Sequence, residues 1–166
     1  MIFERSIFIL SLIATAAYLA AGVYAYVAPP EADMATHVLV TVAATLLLLL
    51  PHVWTLFYLW GTGRAVRKEV EAKRASPRVM SEARRYRRRA VPPLLLASAC
   101  ALAALAMGNL GYSPTLSWLH PTLFFAALAF QVWALWAQRR SLWDNAEMLD
   151  ELDRRARAAQ SPAPAA

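Results

Sequence analysis

Three histidines, His37, His52 and His120, are the side chains best suited to chemistry in this 166-residue sequence. Imidazole titrates near neutral pH and is a common metal ligand. His37 opens one long apolar block and His120 opens another, so in a helical bundle the two share a depth. Two imidazoles on facing helices are what bis-histidine ligation of a b-type haem requires. His52 follows His37 by 15 residues, which places it roughly 22 Å deeper and about 60° around the helix. His37 and His52 therefore cannot hold one iron together. His52 could ligate a second haem only with a ligand not identified in this sequence, for example one from another subunit. A zinc ion on His37 and His120 would want further ligands, which only Glu31 and Asp33 could supply. Against these readings, histidine at a membrane interface is an ordinary belt residue. His52, next to Pro51, could instead bond the carbonyl that the proline leaves free.

Other chemistry finds little support. The blocks hold no Asp, Glu, Lys or Arg, and their remaining polar residues are Asn109, Gln131 and some Ser and Thr. That argues against a proton pump or an ion-coupled carrier, which place ionisable groups within the bilayer. No HExxH zinc motif, GxSxG elbow or phosphate loop is present, and Gly61-Thr62-Gly63-Arg64 lacks the Walker spacing. Cys100 is the single cysteine, so no internal disulfide or multi-cysteine metal site can form. The sequence shows no enzyme signature and no catalytic residue set.

The elements that would position the histidines are clear. Apolar residues make up 59% of the chain and fall in four uncharged blocks, about 7–28, 36–60, 91–110 and 118–137. Each approaches or exceeds the ~20 residues needed to cross a bilayer, where lipid forces a helical backbone. The first block is longer than a signal-peptide core, and Ala17, Ala21 and Ala25 recur at helix-contact spacing, so it reads as an uncleaved span. The expected fold is an all-α integral membrane protein of four transmembrane helices, two antiparallel hairpins docked as a bundle. Residues 1–140 form this domain. Residues 141–159 follow as an amphipathic helix with a stripe of Leu142, Ala146, Leu149, Leu152 and Ala156, and 160–166 as a disordered tail.

Charge sets the topology. Residues 64–90 hold eleven Lys and Arg, whereas the connections 29–36 and 111–117 hold none. By the positive-inside rule the long loop and both termini are cytoplasmic, in what reads as a bacterial inner membrane. Trp60, Tyr112, Trp118, Trp136 and Trp143 lie at the expected interfaces. The net charge of +6 is then topology rather than a sign of nucleic acid, for which no motif exists. Arg84, Arg85, Arg87, Arg88 and Arg89 form the candidate surface for lipid or a partner. The loop is expected to stay helical to about Arg74, restart at Ser76-Pro77, and give way to a new span at Pro92-Pro93. Pro51 should kink the second span, and Gly61 and Gly63 should bend or end it.

Three functional readings follow. The first is a non-enzymatic membrane subunit or accessory protein. It would associate, with other subunits or with itself, through small residues such as Ala97, Ala101 and Ala104, and through its basic loop and tail. The second is a b-haem electron-transfer protein or haem-bearing anchor. The third is a small transporter or channel.

Overall fold

The computed structural model describes residues 2–27, 34–109 and 118–160. Four helices account for nearly all of them: α1 (Ile2–Val27), α2 (Met34–Glu71), α3 (Pro77–Asn109) and α4 (Leu119–Gln160). All four are long and apolar enough to cross a membrane. The outer connections, with Glu31, Asp33 and Tyr112, lie outside the described residues, as does the tail 161–166.

Helix contacts define a ring. α3 and α4 share the largest interface, α2 packs on both α1 and α3, and α1 also touches α4. The backbones of α2 and α4 approach at few points, and those of α1 and α3 do not come close among the described residues.

Each helix turns a seam inward with alternating three- and four-residue steps. On α1 the buried positions are Glu4, Ile7, Ser11, Ala14, Tyr18 and Ala21; on α2, Thr45, Leu48, His52, Thr55 and Leu59. On α3 they are Ala90, Leu94, Ala97, Ala101 and Ala104; on α4, Ala127, Gln131, Ala134, Gln138, Ser141 and Asn145. This spacing averages 3.5 residues, the repeat that keeps one face toward its neighbours in a left-handed bundle. The seams are mostly small or polar, while Leu12, Ile13, Leu46, Phe57, Leu102, Phe125 and Val132 point outward and are exposed. Large apolar outside and small inside is the pattern expected when lipid is the solvent, because close backbone approach rather than hydrophobic exclusion then holds helices together. The alanine face of α3 is thus spent inside the chain, against α4, and is not a free surface for another subunit.

The helices remain continuous through the prolines and glycines that the sequence pattern singled out. α2 passes Pro51, Gly61 and Gly63 without interruption and stops only at Glu71. α3 starts at Pro77 as expected but continues through Pro92 and Pro93 as one helix, so the basic segment and the span are a single rod. Two prolines remove the bonds to the Arg88 and Arg89 carbonyls, at a cost of about 3 kcal/mol or more for a helix interior. Contacts on both sides of the two prolines keep α3 continuous: Ala83 and Tyr86 pack on one side and Leu94 and Ala97 on the other. α4 likewise carries span and tail as one helix through Gln160.

Past the apolar blocks, α2, α3 and α4 form a three-helix extension around Val66, Ala83 and Met148, with Val79, Met80, Leu149 and Leu152 packed against them. The tail stripe therefore docks on its own chain through Leu142, Ala146, Leu149 and Leu152, while Ala156 is exposed. Between α2 and α3 the turn closes as a Schellman motif. The Arg74 amide donates to the Glu69 carbonyl at 2.9 Å and the Lys73 amide to Val70 at 3.0 Å. Lys73 occupies the left-handed position at φ 56°. The Arg74 guanidinium grips the Glu69 carboxylate in a fork, Nε at 2.8 Å and Nη2 at 2.9 Å, and this hydrogen-bonded charge holds the Glu69 carboxyl below its ordinary range.

Candidate functional site

The three histidines have three different surroundings. His120 lies in the first turn of α4, its ring against Gly108 of α3, where an added Cβ would sit 3.0 Å from Cε1. Its Nδ1 lies 2.8 Å from the Ala104 carbonyl, which can only accept, so Nδ1 carries the proton and Nε2 keeps its lone pair. His37 is half-buried in the first turn of α2, its carbonyl accepting the Thr41 hydroxyl at 2.9 Å. These two residues stand on α2 and α4, the pair of helices diagonal in the ring.

His52 is fully inside, 2% exposed. It does not bond the carbonyl that Pro51 frees. Its Nδ1 instead lies 2.8 Å from the Ser98 hydroxyl on α3. The other side chain interacting with the ring is Gln131 of α4, whose Nε2 donates to Thr15 Oγ1 on α1 at 2.9 Å. One polar layer thereby links all four helices. His52 Nε2 and Gln131 Oε1 are both buried without a hydrogen-bond partner. The Ser98 hydroxyl lies within reach of both the Leu94 carbonyl, at 2.7 Å, and His52 Nδ1. Thr15 donates in turn to the Ser11 carbonyl at 2.7 Å.

Two more polar layers follow toward the Arg-rich end. Gln138 Nε2 donates to Thr55 Oγ1, and Thr55 donates to the Pro51 carbonyl at 2.8 Å. Asn145 Nδ2 donates to Thr62 Oγ1 at 3.2 Å. The Tyr58 hydroxyl then donates to Glu4 Oε1 at 2.6 Å, fixing a buried carboxylate at the start of α1. Gln131, Gln138 and Asn145 are seven residues apart, one per heptad of α4. Sequence reasoning noticed Gln131 alone, because Gln138 and Asn145 fall past the apolar block. The seven-residue spacing was the signal that would have linked them. The opposite half of the bundle is closed by apolar contacts of Tyr18, Leu48 and Ala101 with Phe124, where Tyr18 and Phe124 stack at 5.2 Å between centroids. Among the described residues no three of His, Cys, Asp and Glu gather as a metal site.

The five clustered arginines divide. Arg89 is drawn inward, its Nη1 2.6 Å from Asp144 Oδ2 with side chains 17% and 33% exposed, so an acid of the tail meets the basic segment within one chain. Arg84, Arg85, Arg87 and Arg88 remain exposed on α3. Arg64 lies over the Trp60 ring at 4.4 Å, and Arg140 over Trp136 at 5.8 Å. These stacks tie cations to the aromatic residues that bound the apolar blocks.

Comparison with known proteins gives no match among family models, curated proteins or solved structures.

Proposed function

We propose that this protein is a non-enzymatic subunit of the bacterial cytoplasmic membrane that presents a rigid basic platform to an acidic cytoplasmic partner. The observation that carries this reading is the three-helix extension. α2, α3 and α4 are 38, 33 and 42 residues long, well beyond the ~20 that a bilayer requires. Their surplus turns share an apolar cluster of their own and carry Arg85 and Arg88 outward. The eleven cations of residues 64–90 put that end in the cytoplasm, and its rigidity lowers the entropic cost of docking. The alanine face and most of the tail stripe are occupied internally, so association falls to the basic surface.

Photo-crosslinking from positions 85 and 88 in native membranes tests this. A discrete protein adduct is expected, and it should disappear in Arg85→Glu/Arg88→Glu. Adducts to lipid alone, unchanged by the charge reversal, would refute the platform.

The b-haem reading has one specific observation in its favour. The Ala104 carbonyl fixes His120 with Nε2 unprotonated, the tautomer and outer-shell bond that a ligating histidine needs. A reduced-minus-oxidised spectrum of protein from haem-replete membranes decides it. Sharp α and β bands lost in His120→Ala or His37→Ala would establish the ligands, and a flat spectrum would end the reading.

A further inference from the structure

Arg84 and Arg87 of α3 stand opposite Arg64 and Arg67 of α2, and the four line one cleft of about 160 Å³ that Trp60 and Gly63 also line. That is well above the ~10–15 Å³ that a single water occupies. No carboxylate lies within ion-pair distance of these four guanidinium groups among the described residues; the ion pairs there use Arg74, Arg78, Arg89, Arg154, Arg155 and Arg157. Four uncompensated cations around one small space repel each other and disfavour the empty site. A phosphate, which takes guanidinium donors in pairs, relieves that repulsion.

The cleft does not stand alone. A groove of about 410 Å³ adjoins it, lined by Val53, Leu56, Phe57 and Val91, and it shares Trp60 and Arg87 with the cleft. On α2, Val53, Leu56, Trp60, Arg64 and Arg67 lie on one helix face; on α3, Arg84, Arg87 and Val91 do the same. Going along that face, apolar side chains give way to cations where the apolar block ends. An anionic phospholipid has the same order, acyl chain and then phosphate. Basic pockets between transmembrane helices on the cytoplasmic side are known to suit such headgroups.

We infer that the α2–α3 face binds an anionic phospholipid of the cytoplasmic leaflet, its phosphate held by Arg64, Arg67, Arg84 and Arg87 and one acyl chain laid along Val53, Leu56, Phe57 and Val91. The site rests on the membrane orientation of the proposed function but not on the protein partner, whose docking uses Arg85 and Arg88 outside the cleft. Four cations suit two phosphates better than one, so cardiolipin should exceed phosphatidylglycerol, and phosphatidylcholine should not bind.

Native mass spectrometry of the full chain, titrated in detergent with each of these three lipids or with inorganic phosphate, provides the test. Arg67→Gln/Arg84→Gln removes two contacts, each worth roughly fivefold near a membrane surface, so cardiolipin affinity should fall about 30-fold. Arg85→Gln/Arg88→Gln removes the same charge outside the cleft and should change affinity less than about threefold, below the fivefold of one contact. An uncharged variant guards against misfolding. A Cβ at Gly63 meets nothing within 4 Å, so Gly63→Leu fills the cleft without a backbone clash and raises helix propensity. It too should lose cardiolipin. Equal losses from both arginine pairs, an unaffected Gly63→Leu, or inorganic phosphate that competes cardiolipin away at similar concentration would each overturn the assignment. Loss of the protein crosslink at positions 85 and 88 would leave it standing.

Discussion

The polar layer around His52 makes a prediction whose size can be worked out. Ser98→Ala removes the hydroxyl that lies 2.8 Å from Nδ1. Interhelical hydrogen bonds in membrane bundles average about 0.6 kcal/mol and reach about 1.7, and an orphaned buried nitrogen adds to the loss. The expected destabilisation is about 1–2 kcal/mol. Gln131→Leu removes the Thr15 bond, 2.9 Å long, and the side chain that interacts with the His52 ring, so about 1–2 kcal/mol is expected. Ser98 and Gln131 sit on different helices and both act on one imidazole. The double variant should therefore fall short of the sum by at least ~0.5 kcal/mol. Reversible unfolding in mixed micelles measures all three. Strict additivity would refute the coupling through His52.

Other perturbations probe separate parts of the fold. In Gly22→Ala the added Cβ would overlap Phe124 Cζ and Cε2 and lie 2.8 Å from Cε1. Phe124 is wedged between Tyr18 and Phe125, so a loss toward the upper end of ~1–3 kcal/mol is expected in thermal unfolding, with partial rescue by Phe124→Leu. Lys73→Gly should raise stability by about 0.5–1 kcal/mol by relieving the left-handed strain at φ 56°; a lower melting temperature would contradict the turn geometry. Glu69 is held below its ordinary range by Arg74, so the clasp is complete at neutral pH and is lost as pH falls through the folded carboxyl value. The protection factor of the Arg74 amide, taken relative to its intrinsic exchange rate at each pH, should fall only in acid. Asp144→Asn leaves the partly buried Arg89 without its counter-ion and should cost about 1–2 kcal/mol, whereas a double variant with Arg89→Gln should recover part of that loss.

Much of the architecture was legible. Four uncharged apolar runs require four helices, because backbone groups in lipid have no other partner. Ser76-Pro77 marks the start of α3 correctly, since proline tolerates a first helical turn. Continuity was less legible. Pro92-Pro93 and Gly61-Gly63 carry local preferences against helix, but contacts on either side outweigh them, and local propensity holds no information about those contacts. The candidate site divides in the same way. The histidines and arginines could be named from residue type, but their partners could not. His52 belongs to Ser98 and Gln131, His120 to Ala104, and Arg89 to Asp144, each on another helix.

By itself the sequence determined which runs form long apolar helices, which stretch carries the positive charge, and where a turn must close, because hydropathy, charge and backbone chemistry are properties of local runs of residues. Only the tertiary structure decided that the alanine face turns inward, that heptad-spaced Gln131, Gln138 and Asn145 meet polar partners across the bundle, and that four arginines from two helices converge on one cleft. Those outcomes depend on helix rotation and register, which are set when several seams pack at once and polar side chains of different helices come to the same level.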